Sequence, residues 1–96
     1  MSAYVLVEIE VIDPEAYAEY MPLAEASVKR HGGRYIARGG LTETFEGAWA
    51  GRIVILEFES LDAARAWYHS ADYQACLPVR LNTSQGRMIA LDGLDQ

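Results

Sequence analysis

The chain has 96 residues, 51% of them hydrophobic and 23% charged, which suits one folded globular domain and leaves no room for two independent cores. Its formal charge of −6 speaks against nucleic acid and anionic membrane surfaces as partners, because both are held by basic faces. A single cysteine, Cys76, excludes an intramolecular disulfide or a thiolate metal cluster within one chain.

In chain order, Met1–Val5 shows no basic leader followed by a long apolar stretch, and no apolar run is long enough to span a bilayer. A cytoplasmic address is expected. Residues 3–11 alternate: Val5, Val7, Ile9 and Val11 share one face, and Tyr4, Leu6, Glu8 and Glu10 share the other, as in a strand. Asp13-Pro14-Glu15 opens a helix, with a capping side chain, a proline suited to the first turn and an acid at the positive end. Tyr17, Tyr20, Met21, Ala24 and Val28 form its apolar stripe; Pro22 should kink it, and Gly32-Gly33 ends it. A second strand runs from Arg34 to Arg38 until Gly39-Gly40 interrupts it, and residues 42–51 read as a hairpin-like loop.

Residues 52–59 make the strongest strand, with Val54, Leu56 and Phe58 on one face and Ile53, Ile55 and Glu57 on the other. Ser60 and Asp62 open a second helix whose inner stripe is Leu61, Ala64 and Trp67 or Tyr68. Ser70-Ala71-Asp72 breaks it. A shorter helix follows through Tyr73, Cys76 and Leu77, with Pro78 opening its final turn or ending it. Residues 86–92 form the last strand, and the tail 93–96 is expected to fray.

The order β-α-β-β-α-β is the split βαβ motif of the ferredoxin-like α+β class, with a four-stranded antiparallel sheet and helices on one face. The uncovered face should be polar, yet it carries Tyr4, Leu6, Ile53 and Ile55. A domain of this size buries only roughly 60–65% of its unfolded surface, so association helps it. A homodimer closing over this apolar face is therefore expected.

The string Gly32-Gly33-Arg34-Tyr35-Ile36-Ala37-Arg38-Gly39-Gly40 resembles the family catalogued as domain of unknown function 1330. The resemblance continues through Glu46-Gly47, Arg52–Phe58, Ala66-Trp67-Tyr68-His69-Ser70 and Asp72-Tyr73-Gln74, covering nearly the whole chain. The chain departs from it at His69, where members often carry Asn, and at Ala71, where they often carry Pro. The resemblance implies a dimeric α/β barrel, in which two ferredoxin-like sheets face each other. It implies no reaction. Proteins with that barrel include cofactor-free monooxygenases, lactone isomerases, haem-dependent enzymes and small-effector binding domains, and fold alone does not choose among them.

Three groups of residues could carry chemistry. By strand parity Glu8 and Glu57 point away from the helices, and Arg38 could join them, its parity being uncertain beside the glycines. Such a cluster could anchor a small polar ligand through Arg38 and Glu8, with Glu57 as a base if desolvation raised its pKa. The same residues could instead be interface ion pairs that fix dimer register. Among the aromatic residues, Tyr20, Tyr35 and Tyr68 are candidates to face a ligand from between helices and sheet, though residues at such spacing also serve as core.

His69 follows Trp67-Tyr68 near a helix end and is the second candidate base, with a surface role as the alternative; His31 suits a helix dipole. Neither histidine has metal-ligand spacing to the other or to Cys76, and no phosphate-loop pattern is present, so neither metal nor cofactor is expected. Two functions stay open: a small metal-free enzyme acting on a compact organic molecule, or a non-catalytic small-molecule binder or stress-related accessory protein. A purely structural dimer is a third.

Overall fold

A computed structural model describes residues 2–94. The elements are β1 (Ala3–Val11), α1 (Pro14–Arg30), β2 (Arg34–Arg38), β3 (Arg52–Phe58), α2 (Leu61–Tyr68), α3 (Ala71–Thr83) and β4 (Ser84–Asp92). The four strands form one antiparallel sheet in the order β2-β3-β1-β4, so the first strand lies inside and the last at an edge. No helix among the described residues is long and apolar enough to cross a membrane.

Alternation in β1 and β3 decides which face meets the helices. Ala3, Val5, Val7 and Ile9 are buried together with Val54, Leu56 and Phe58, against Ala24 and Val28 of α1, Trp67 of α2 and Tyr73 of α3. The densest part is aromatic. The Trp67 ring lies 4.3 Å from Tyr73 and 5.4 Å from Phe58, centroid to centroid. Its indole N–H donates to Ser27 Oγ at 3.0 Å, and Ser27 donates onward to the Ala24 carbonyl at 2.7 Å, so the buried polar edge is satisfied.

The helix boundaries follow side-chain chemistry. Asp13 accepts from the Ala16 amide, Ser60 from Ala63 and Ser70 from Tyr73, one cap for each helix. Gly32 takes a left-handed φ of 75° and Gly33 donates to the Val28 carbonyl, closing α1 where the paired glycines suggest. The helix runs without interruption across Pro22, whose exposed position leaves the orphaned carbonyl one turn back open to water.

Three expectations need correction. The break between α2 and α3 falls at His69-Ser70, so Ala71 and Asp72 already belong to α3. With 13 residues, α3 is also the longer of the two helices, and Pro78 sits inside it on the exposed side. The tail was expected to fray from Gly93; Gly93 donates to the Ser2 carbonyl at 2.7 Å, and positions 95 and 96 lie outside the described residues.

Residues 39–51 form no helix or strand and no hairpin ladder. This long exposed connection holds Leu41, Phe45 and Trp49 in solvent, and it is tied back where the Ala50 amide donates to Glu8 Oε2 at 3.3 Å. At its end Gly51 has a left-handed φ of 68°, and a Cβ there would collide with the Ile9 carbonyl.

Candidate functional site

The helices leave the edge strand β4 partly bare. Its helix-facing residues are Gly86, Met88 and Ala90, opposite Ile9, Val7 and Val5 in register. A glycine and an alanine on either side of a flexible methionine fill little space beneath α2 and α3. A groove of about 460 Å³ results, with Trp67, Tyr68 and His69 from α2 and its cap, Arg80 and Leu81 from α3, and Met88 and Ala90 from β4. Volumes of roughly 300–1,000 Å³ accommodate small organic ligands.

Behind the groove, between sheet and α1, lies a second cavity of about 40 Å³. The two share Trp67, Arg80 and Met88 as a common wall. Tyr17, Tyr20, Tyr35, Arg38 and Arg52 complete the inner cavity. The Tyr20 and Tyr73 hydroxyls meet at 2.8 Å. Burial pushes the phenols of Tyr17, Tyr20, Tyr35 and Tyr73 above their ordinary value; beside Tyr20 the neighbouring Tyr73 adds to it, whereas Arg52 and Arg80 oppose the rise at Tyr17. These hydroxyls are therefore neutral donors near pH 7.

Arg38 pairs with Glu25 of α1 at 2.8 Å and stacks 4.2 Å over the Tyr35 ring. Arg80 is 6% exposed, and among the described residues neither its Nε nor that of Arg52 has a hydrogen-bond partner. Burial raises the Cys76 thiol, which donates to the Tyr73 carbonyl, as befits a packed and unreactive group.

The residues singled out from sequence divide into three places. Arg38, Tyr20 and Tyr35 line the inner cavity; Tyr68 and His69 line the groove; Glu8 and Glu57 lie on the opposite, open face of the sheet. The cluster of Glu8, Arg38 and Glu57 does not form. A bulge between Tyr35 and Ala37 makes Ile36 an extra residue in β2, and this sets Arg38 opposite Val54 on the helix side.

On the open face, Glu57 instead takes Arg34 at 2.6 Å, and Glu8 takes Arg87 at 2.9 Å. Hydrogen bonding to Arg34, with help from Ser2, holds the Glu57 carboxyl below its usual range, the opposite of what a general base needs. His69 caps α2, exposed, its amide donating to Arg65 and its ring edge-on to Tyr68 at 5.2 Å. His31 closes α1 with Nδ1 2.9 Å from the Ser27 carbonyl.

Sequence reasoning missed Arg80 and Arg52. Arg80 continues the buried stripe Tyr73, Cys76, Leu77 at helical spacing, and a cation on an inner stripe was the available signal. Reading Pro78 as opening the final turn or ending the helix hides it. Among the described residues no group of three or more His, Cys, Asp or Glu side chains is placed to hold a metal ion.

The open face has an ordered pattern. Ala37, Ile55, Leu6 and Ile89 form one cross-sheet row. Arg34, Glu57, Tyr4 and Leu91 flank it on one side, and Ile53, Glu8 and Arg87 on the other, where Arg87 lies 5.6 Å over the Trp49 ring. An apolar centre thus sits between two ion pairs.

Comparison with known structures agrees with this architecture. A protein of unknown function from Rhodopseudomonas palustris, RPA0582, is similar over 99% of this chain and 84% of its own, with 19% identity and a TM-score of 0.77. SnoaB, a cofactor-independent oxygenase from Streptomyces nogalater, is 11% identical over 99% of this chain and 95% of its own, with a TM-score of 0.67. A dimeric protein of unknown function and ferredoxin-like fold from Bacteroides fragilis is 12% identical over 96% of both chains, with a TM-score of 0.56. At these identities the likeness shows the ferredoxin-like fold. No curated protein matches the sequence. The family model described as domain of unknown function (DUF1330) matches residues 2–94, and the chain belongs to that family.

Proposed function

We propose that the protein is a homodimer whose protomers each hold a compact organic molecule in the groove beneath α2 and α3 and act on it by proton transfer. The observation that carries this reading is the groove itself: about 460 Å³, apolar-walled, with a histidine at its mouth and a buried guanidinium at its floor. His69 is the group to move a proton, and Tyr68 beside it orients the ligand. Arg38, Tyr20 and Tyr35 act from the inner cavity, where neutral hydroxyls and a guanidinium favour negative charge developing on a ligand oxygen. Glu57, on the other face with its carboxyl held low, is left out of the chemistry.

Pairing through the open face is supported by its apolar central row, by the exposed Leu41, Phe45 and Trp49 of the adjoining loop, and by ion pairs that would fix register. A cytoplasmic setting belongs to the same reading, since a lone unpaired thiol suits a reducing compartment.

Binding without turnover is the second reading. It is favoured by one observation: His69 is the sole candidate base among the residues lining the groove, and it is exposed.

The test is a thermal-shift screen of small organic molecules on the native protein and on Ala90→Trp, which fills the groove from an exposed position. Ligands should stabilise the native protein and lose their effect on Ala90→Trp. Equal stabilisation of both proteins would refute the groove as the site. For any ligand that is turned over, His69→Gln should abolish turnover and keep binding; unchanged turnover would remove His69 as the base.

A further inference from the structure

We infer that the molecule held in the groove is a carboxylate with an apolar body, its anionic head on Arg80 and its body beneath α2 and α3. This rests on the groove reading above and names its ligand class. Arg80 is 6% exposed, its Nε bonds to nothing, and among the described residues no carboxylate forms an ion pair with it. Arginine cannot escape by losing its proton. A buried guanidinium without a counter-charge is costly, and proteins keep such an arrangement where an anion completes it.

The imbalance extends beyond one residue. Arg38, Arg52 and Arg80 line the same inner cavity, and among the described residues only Arg38 has an acid, Glu25. The Arg52 Nε is buried and unpartnered as well.

Size and walls then select the ligand. At about 40 Å³ the inner cavity has room for a carboxylate head or two to three waters, and nothing larger. The adjoining groove, of about 460 Å³, takes a body of apolar or aromatic character against Trp67, Leu61, Leu81 and Ala90. Arg80 belongs to both spaces, so a head bound to it can carry a body into the groove. Nearby Tyr17, Tyr20 and Tyr73 are neutral, and they supply hydroxyls rather than competing negative charge. Arg65 and Arg87 also line the groove, but they are already paired with Asp62 and Glu8, so the guanidinium fork of Arg80 is the one left to match a planar monoanion.

The experiment titrates two acid–amide pairs, phenylacetate with phenylacetamide and hexanoate with hexanamide, into the full chain while following the Trp67 indole N–H by NMR. At least one acid should shift that resonance saturably, with its amide binding at least about tenfold more weakly. Arg80→Gln should erase the difference. Independently of any ligand, Arg80→Met should raise the melting temperature of the free protein by about 4 °C or more, because it removes the unpaired charge and keeps the packing.

Equal affinity for acid and amide, or an acid preference that survives Arg80→Gln, overturns the carboxylate inference and leaves the groove standing. A lower melting temperature for Arg80→Met also overturns it, by making Arg80 a structural residue. If none of the four probes moves Trp67, the groove reading falls, and this inference with it. Should Arg80→Gln fail to fold, the acid–amide comparison on the native chain still decides.

Discussion

Raising the pH should unfold this protein through its buried tyrosines. Tyr20 and Tyr73 are 8% and 0% exposed, their hydroxyls meet at 2.8 Å, and burial pushes both phenols above the ordinary value of 10.0. A folded-state pKa above the unfolded one means that the neutral form is favoured in the fold. Its stabilising effect is complete below about pH 10 and is lost as pH climbs from there toward the folded-state values.

Over that window each tyrosine that ionises only in the unfolded chain removes about 1.4 kcal/mol of stability per pH unit, so the pair removes roughly 2.7 kcal/mol. Against a domain stability of about 5–15 kcal/mol, two to three pH units suffice to unfold a protein near the low end. The assay follows tyrosinate absorbance and far-UV circular dichroism together while the pH rises from about 9 to about 12. The buried pair should ionise only in a cooperative step shared by both signals. The Tyr20→Phe/Tyr73→Phe variant should lose stability with a shallower slope above pH 10. If all six tyrosines ionised smoothly near pH 10 with the dichroism intact, the reasoning would be refuted.

Other consequences are as direct. Leu6→Asp puts a charge in the middle of the open face's apolar row, between Ile55 and Ile89, and should turn a dimer into monomer or aggregate by light scattering; an unchanged mass would contradict the proposed interface. Ser27→Ala strands the buried Trp67 N–H and should lower stability by about 1–3 kcal/mol in chemical denaturation. No loss there would mean that the indole finds another partner.

The Ser70 hydroxyl and then Arg30 bring the Asp72 carboxyl down to about 2 from an ordinary 3.8. This lowered pKa gives stability that is present above the unfolded value and lost as pH falls toward about 2. Asp72→Asn should therefore be the less stable protein near neutrality, with the gap to wild type closing as acid is added. A pH-independent gap would exclude this ion pair as the cause.

The fold was largely legible because strand parity and capping are local. Val5, Val7 and Ile9 against Val54, Leu56 and Phe58 could be assigned to one face without knowing the register, and Asp13 and Ser60 mark the starts of α1 and α2, whereas Ser70, which reads with Ala71 and Asp72 as a break, caps α3. The candidate site was less so. Where Arg38 points depends on a single inserted residue at Ile36, and a bulge arises from pairing with β3 rather than from the β2 sequence alone. The partners of Glu8 and Glu57, Arg87 and Arg34, come from strands distant in the chain, and only the register identifies them.

Arg80 was lost for a different reason. A proline on the exposed side of a helix can be tolerated, because the carbonyl it orphans faces water, yet sequence alone does not say on which side Pro78 lies. The groove, too, depends on what α2 and α3 leave uncovered over Gly86, Met88 and Ala90, and no local pattern encodes it.

The central claim is that ligand binds on the helix side of the sheet. Along β4 the side chains alternate, so Ala90 faces the groove, whereas Leu6 of β1 and Ile53 of β3 lie on the open face. Methyl-resolved NMR of the protein titrated with phenylacetate separates the two faces directly. The predicted result is movement of the Ala90 methyl signal with those of Leu6 and Ile53 unchanged; movement confined to Leu6 and Ile53 would contradict it.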